Sequence, residues 1–151
     1  MTSEKKEIKL VSNIKYGGPY QQELIESQRT GTCIFCKSTF QSQVLCEYKG
    51  WILLRNTFPA MDSQGGHAQF HFLAVPKKHS KSLWLNSRGL AAASHLFTWA
   101  RNTYEFEGGA IFQRVGSPKF SGMTVCHPHV HLVVPRLDAN GDSIPVYMAV
   151  G

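Results

Sequence analysis

Apolar runs and the breaks between them divide this chain into short strands around one long helix. Residues 44–47 and 51–56 are two apolar-rich stretches joined by Tyr48-Lys49-Gly50, which predicts a hairpin. Residues 70–75, Phe-His-Phe-Leu-Ala-Val, predict a third strand, stopped by Pro76. Asn86 or Ser87 can cap a helix that runs to about Tyr104. Its residues Leu90, Ala93, Phe97, Ala100 and Tyr104 follow the helical period, and Gly108-Gly109 end the segment. Residues 110–115 and 124–135 predict a fourth and a fifth strand. Residues 146–150 predict an edge strand or a dimer contact. Upstream, residues 15–20 read as a turn region and 23–28 as a helical turn. Hairpins around one helix make an α+β class with a mostly antiparallel sheet. We divide the chain into an N-terminal extension (1–32), a central domain (33–137) and a C-terminal tail or edge strand (138–151).

The fifth predicted strand carries the chemistry. His127, His129 and His131 alternate with Pro128, Val130 and Leu132. A strand has a side-chain period of two, so the three imidazoles would share one face. Imidazole near neutral pH can be a nucleophile, a proton carrier or a metal ligand. The competing reading, three surface histidines on a half-buried strand, would need an accidental regularity among seven histidines.

Cys33-Ile34-Phe35-Cys36 spaces two thiols for one zinc ion, which then needs two further ligands. The same spacing serves redox enzymes, where the first cysteine opens a helix, and it also occurs in unpaired thiols. His79, just after Pro76, reads by itself as an exposed turn residue. Residues 116–124 form a loop of small residues before the histidines. Such a loop lets backbone N–H groups approach an anion, but an ordinary loop looks similar.

Composition adds bounds. A length of 151 residues suits one domain, 42% apolar residues supply a core, and 17% charged residues argue against disorder. The net charge of +6 is scattered, with only Lys5-Lys6 and Lys77-Lys78 adjacent, so it does not mark a nucleic-acid surface. The polar start and the lack of a long apolar run point to a cytoplasmic protein with no membrane span. In that compartment the cysteines at 33, 36, 46 and 126 are expected as thiols or metal ligands.

Together these residues resemble the histidine-triad (HIT) superfamily, whose hallmark is His-φ-His-φ-His-φ-φ with φ apolar. Here that is His127 through Val133. The resemblance runs from about Cys33 to Arg136. It includes the Cys-x-x-Cys, Asn56-Thr57-Phe58-Pro59, the stretch from His71 to His79, and Gly-x-Thr-Val from Gly122 to Val125. It implies a HIT-like fold, usually a homodimer, that hydrolyses or transfers nucleotides at the α-phosphate. His129 is then the nucleophile, forming a covalent nucleotidyl-imidazole that water or another acceptor releases. His131 supports the phosphate or its proton traffic, and His127 completes the triad. Thr124 and Gly122 meet the phosphate, and Asn56 meets the ribose hydroxyls. Phe58 and Ile34 line the base pocket.

Arg114 falls where many relatives carry Asn or Gln near the leaving group, and Met123 where they often carry Gln. Zinc-bearing relatives use the positions of Cys33, Cys36, His79 and His127, so the resemblance implies a structural zinc. Residues 76–83 with Cys126-His127-Pro128-His129 resemble the galactose-1-phosphate uridylyltransferase branch. Three alternatives stay open. They are phosphorolysis of dinucleoside polyphosphates, a zinc-stabilised nucleotide-binding or interaction module with little turnover, and a metalloenzyme with zinc on His127 and His129.

Overall fold

Five strands form one antiparallel sheet in the order β1-β2-β3-β5-β4. They are β1 (Cys46–Tyr48), β2 (Trp51–Arg55), β3 (Phe70–Pro76), β4 (Ala110–Gln113) and β5 (Val130–Val134). Among the described residues four α-helices accompany them: α1 (Gly18–Thr30), α2 (Ser38–Gln41), α3 (Ser87–Tyr104) and α4 (Pro118–Ser121). The computed structural model describes residues 9–12, 18–80 and 82–150. Among them no helix is long and apolar enough to cross a membrane.

The hairpin forms where the pattern predicts it, though its first strand begins at Cys46 rather than 44. Tyr48 pairs with Trp51, which leaves Lys49-Gly50 as a two-residue loop. Both loop residues have positive φ, 47° and 78°, matching the right-handed twist of the strands they join.

Register sorts the strand residues onto two faces. Leu54 opposes Leu73, Leu73 opposes His131, and His131 opposes Phe112. These residues, with Ile52, His71 and Val75, share one face by the period of two. Leu53, Phe72, Ala74, Val130, Leu132 and Val134 share the other and pack under α3. The first face packs against Leu10, Val11, Leu24, Ile34, Phe35 and Val125. The α+β architecture, an antiparallel sheet with one long helix on it, is as the sequence pattern predicts.

Helix α3 starts at the predicted cap. The Asn86 side chain accepts from the N–H groups of Arg88 and Gly89, and Glu105 closes the helix in the left-handed region. Its inward stripe keeps Ala93, Phe97 and Ala100 buried, with Tyr104 packed beside them, as the helical period predicts, and departs from it only at the first turn. Leu90 is 40% exposed, while Gly89, Ala92 and Leu96 are buried. Gly89 lies against Trp51, where a Cβ would sit 2.3 Å from the ring. Only glycine lets the helix come that close to β2.

Three predicted segments differ. The strand over 124–135 is confined to Val130–Val134. Val125 instead makes an isolated bridge with Val11, and the Cys126 N–H donates to the Leu10 carbonyl. Pro128 then has no N–H to offer a ladder. The edge strand over 146–150 does not form among the described residues. Val146 bridges Asp62 singly, and Tyr147, Met148 and Ala149 run along a cleft. The helical turn at 23–28 is the middle of the 13-residue α1. Residues 15–17 of the predicted turn region lie outside the described residues. Leu24 of α1 is fully buried in the first core layer, which contributes about 1.5–3 kcal/mol for a leucine. This firmly seated helix lies beside the cleft.

Candidate active site and metal centre

Cys33 and Cys36 flank a single 3-10 turn, Ile34–Cys36. His79 follows β3, and His127 precedes β5. The His127 Nδ1 lies 3.5 Å from Cys33 Sγ, 3.6 Å from Cys36 Sγ and 3.2 Å from His79 Nδ1. Cys36 Sγ is 3.5 Å from His79 Nδ1, and all four donor atoms lie within 4.8 Å of one another. A tetrahedral ion with nitrogen at about 2.0 Å and sulfur at about 2.3 Å sets N···S edges near about 3.5 Å and N···N edges near about 3.3 Å. The quartet therefore fits a tetrahedral metal ion.

The tautomer fits as well. His127 Nε2–H donates to the Pro76 carbonyl at 2.8 Å, leaving the Nδ1 lone pair aimed into the quartet. Burial, then the neighbouring Cys36, pushes the Cys33 thiol up to about 12. A dication between the sulfurs would reverse that repulsion. A raised thiol beside a mere 3-10 turn is the opposite of the lowered pKa that a redox cysteine needs.

His129 and His131 turn away from the quartet into a cleft of about 460 Å³. Their ring centroids are 4.8 Å apart. His129 Nδ1–H donates to the His127 carbonyl at 2.7 Å, which leaves Nε2 with a lone pair. Burial pushes its pKa down to about 4, so the ring is neutral near pH 7.

His131 is set by a longer chain. The Ala60 N–H donates to His71 Nδ1 at 2.9 Å. His71 Nε2–H must then donate to His131 Nδ1, also at 2.9 Å, and the His131 proton is left on Nε2. That Nε2–H is buried without a partner among the described residues. Burial lowers both pKa values, to about 4 for His71 and further for His131. The cleft thus holds a lone pair and an unspent N–H on adjacent imidazoles.

The loop beside them is shaped for close approach. Gly122 caps α4 in the left-handed region, φ 72°. Thr124 and Gly122 line the cleft. Arg114 lines it too, with Nη1 donating to the Ser121 carbonyl at 2.8 Å. Among the described residues lining this cleft, Arg114 is the one bearing full charge.

No protein-family model matches this sequence, and no curated protein is significantly similar to it. Solved structures are similar in fold. A histidine triad protein from Clostridium difficile is 25% identical, with a TM-score of 0.51 over 70% of this chain and 93% of that one. A hypothetical protein from Leishmania major is 22% identical, with a TM-score of 0.50 over 81% of this chain and 85% of that one. The fold is that of the histidine-triad proteins.

Within this histidine-triad fold the site residues expected from the sequence gather in two adjoining places. Cys33, Cys36, His79 and His127 meet in the metal quartet. His129, His131, Thr124, Gly122, Arg114, Asn56, Phe58 and Ile34 line the cleft. The three imidazoles do not share one strand face, because only His131 belongs to β5. His127 serves the quartet instead. Asn56 does part of a different task. Its Oδ1 accepts from the Phe58 N–H at 2.9 Å and so shapes the loop, while its amide lies against the His71 ring.

Sequence reasoning assigned no role to His71, Tyr20 or Phe35. His71 had a signal, since its position in β3 puts it on the face of His131. Phe35 stands edge-on to both His127 and His129, at 5.7 and 5.1 Å, bridging the two sites. Tyr20 had none, because it enters from α1.

Proposed function

We propose that this protein hydrolyses or transfers nucleotides at the α-phosphate through a covalent nucleotidyl-His129 intermediate. The observation that carries this reading is the fixed tautomer of His129. With Nδ1–H held by the His127 carbonyl, Nε2 offers its lone pair to phosphorus. A P–N bond forms as the bond from phosphorus to the leaving group breaks. The imidazole becomes cationic, and the carbonyl facing Nδ1–H stabilises that charge. A water oxygen, or another acceptor, then attacks phosphorus and the P–N bond breaks, restoring neutral His129.

The other groups have complementary tasks. His131 Nε2–H, buried and without a partner among the described residues, donates to a phosphate oxygen or to the departing atom. Thr124 and the Gly122 loop donate to the phosphate, and Arg114 offsets charge toward the leaving group. Ile34 and Phe58 form the apolar side that takes the base, and the remaining amide capacity of Asn56 serves the ribose.

The metal in this reading is a structural zinc on Cys33, Cys36, His79 and His127. It supplies a closed crosslink between the N-terminal turn, the end of β3 and the segment before His129. The residues around it orient the His127 carbonyl that holds His129. A homodimer belongs to the reading as well. Its support is β4 at the outer edge of the sheet, with Ile111 58% exposed.

The test is turnover of adenosine phosphoramidate, a dinucleoside polyphosphate and a nucleotide sugar, beside His129→Ala and a metal assay of both proteins. Turnover lost in the variant with metal retained supports the nucleophile. Metal lost together with turnover would place His129 among the ligands instead.

A further inference from the structure

The N-terminal helix α1 reaches into the cleft through one side chain, Tyr20. Its hydroxyl is hydrogen-bonded to the Thr124 hydroxyl, 104 positions away in sequence. Its ring rests against Phe58, with centroids 4.8 Å apart. The backbone of Thr124 is held from the same region, because its carbonyl accepts from the Ser12 N–H at 2.8 Å. The helix itself is anchored by the fully buried Leu24 and Ser27. The stretch before residue 33 thus fixes both the main chain and the hydroxyl of the loop that the proposed function assigns to phosphate.

A threonine hydroxyl has one proton to give and two lone pairs to receive. If Thr124 is to donate to a phosphate oxygen, any other hydroxyl bonded to it must be the donor. The neighbour here is a phenol, a better donor than an aliphatic alcohol. The chain then reads from Tyr20 O–H to Thr124 O–H to the phosphate, each bond polarising the next.

We propose that Tyr20 is a positioning residue that turns the Thr124 hydroxyl proton toward the substrate phosphate. The inference rests on the proposed role of Thr124 and adds what aims it. Free to turn about its Cβ–Oγ bond, the Thr124 hydroxyl could point its proton elsewhere. With Tyr20 donating, the orientation useful in the transition state is set before the substrate arrives.

The experiment is a double-mutant cycle of Tyr20→Phe and Thr124→Val in the full chain, with adenosine phosphoramidate as substrate. Phenylalanine keeps the packing on Phe58 and removes only the hydroxyl, so metal content and unfolding midpoint should match the parent. Tyr20→Phe should lower kcat by about 10-fold, with KM within about 2-fold. Thr124→Val should lower kcat by about 100-fold. The double variant should match Thr124→Val, since Tyr20 acts through that hydroxyl. Wild-type kcat in Tyr20→Phe, a change in KM alone, or a double variant at the product of the two losses would each overturn the inference and leave His129 untouched. No turnover and no His129 adduct in the parent chain would overturn the proposed function and the inference together.

Discussion

Replacing His71 by leucine tests the imidazole chain behind His131. Leucine has about the same volume and no polar atoms, so the core stays filled. Two partners are then stranded, the Ala60 N–H and the His131 Nδ1, each now bonded at 2.9 Å. A buried polar group left unpaired costs about 1–3 kcal/mol. His131 is almost wholly buried and bears the full penalty, whereas half-buried Ala60 recovers part of it from water. We expect a loss of about 3 kcal/mol in urea unfolding followed by far-ultraviolet circular dichroism.

Activity should fall separately from stability. Without His71 Nε2–H as donor, nothing fixes the His131 proton on Nε2, and part of the population carries it on Nδ1. A wrong tautomer removes the donor that the proposed function assigns to the phosphate. We expect kcat to fall by about 10-fold or more at temperatures where the variant is fully folded. Wild-type stability together with wild-type kcat would refute the tautomer argument. A loss of stability alone would reduce His71 to a packing residue.

Two further outcomes concern the titration of His71 and the metal quartet. His71 has a folded pKa of about 4 against an ordinary 6.5, so the fold keeps it neutral while the unfolded chain takes up a proton. Stability should hold above about pH 6.5 and decline as pH falls toward about 4, by about 3 kcal/mol from this group, and the decline should be shallower in His71→Leu; denaturant midpoints across that range check it. Cys33→Ser should reduce bound metal well below one per chain and lower the melting temperature by about 10 °C or more, since metal binding of this kind is coupled to folding. Full metal content and an unchanged melt in that variant would remove the quartet from the account.

Local signals carried most of the fold. The hairpin turn at Lys49-Gly50, the stop at Pro76 and the cap at Asn86 each depend on a few neighbouring residues, and each is where the pattern puts it. Long-range contacts carried the remainder. The strand predicted over 124–135 includes Val125, but among the described residues Val125 bridges Val11 and lies outside the main sheet. Helix α1 was foreshortened in sequence because its buried positions include Ser27, a polar residue whose Oγ–H donates to the Thr32 carbonyl, while its Ile25 is half exposed.

The site divides the same way. The spacing of two between His129 and His131 does bring both into one cleft, although the strand expected to carry them begins only at Val130. Pairing of the Cys-x-x-Cys with His79 and His127 was visible through the family resemblance and not through spacing alone. Tyr20 was invisible, because nothing in its neighbourhood reports a partner more than a hundred residues away.

The central claim is that His129 attacks phosphorus. Intact-protein mass spectrometry after brief mixing with adenosine phosphoramidate, a dinucleoside polyphosphate or a nucleotide sugar tests it most directly, beside His129→Ala. The account predicts a nucleotidyl adduct on the native chain that is absent from the variant. An adduct that persists in His129→Ala, or product formed with no adduct at any mixing time, would contradict it.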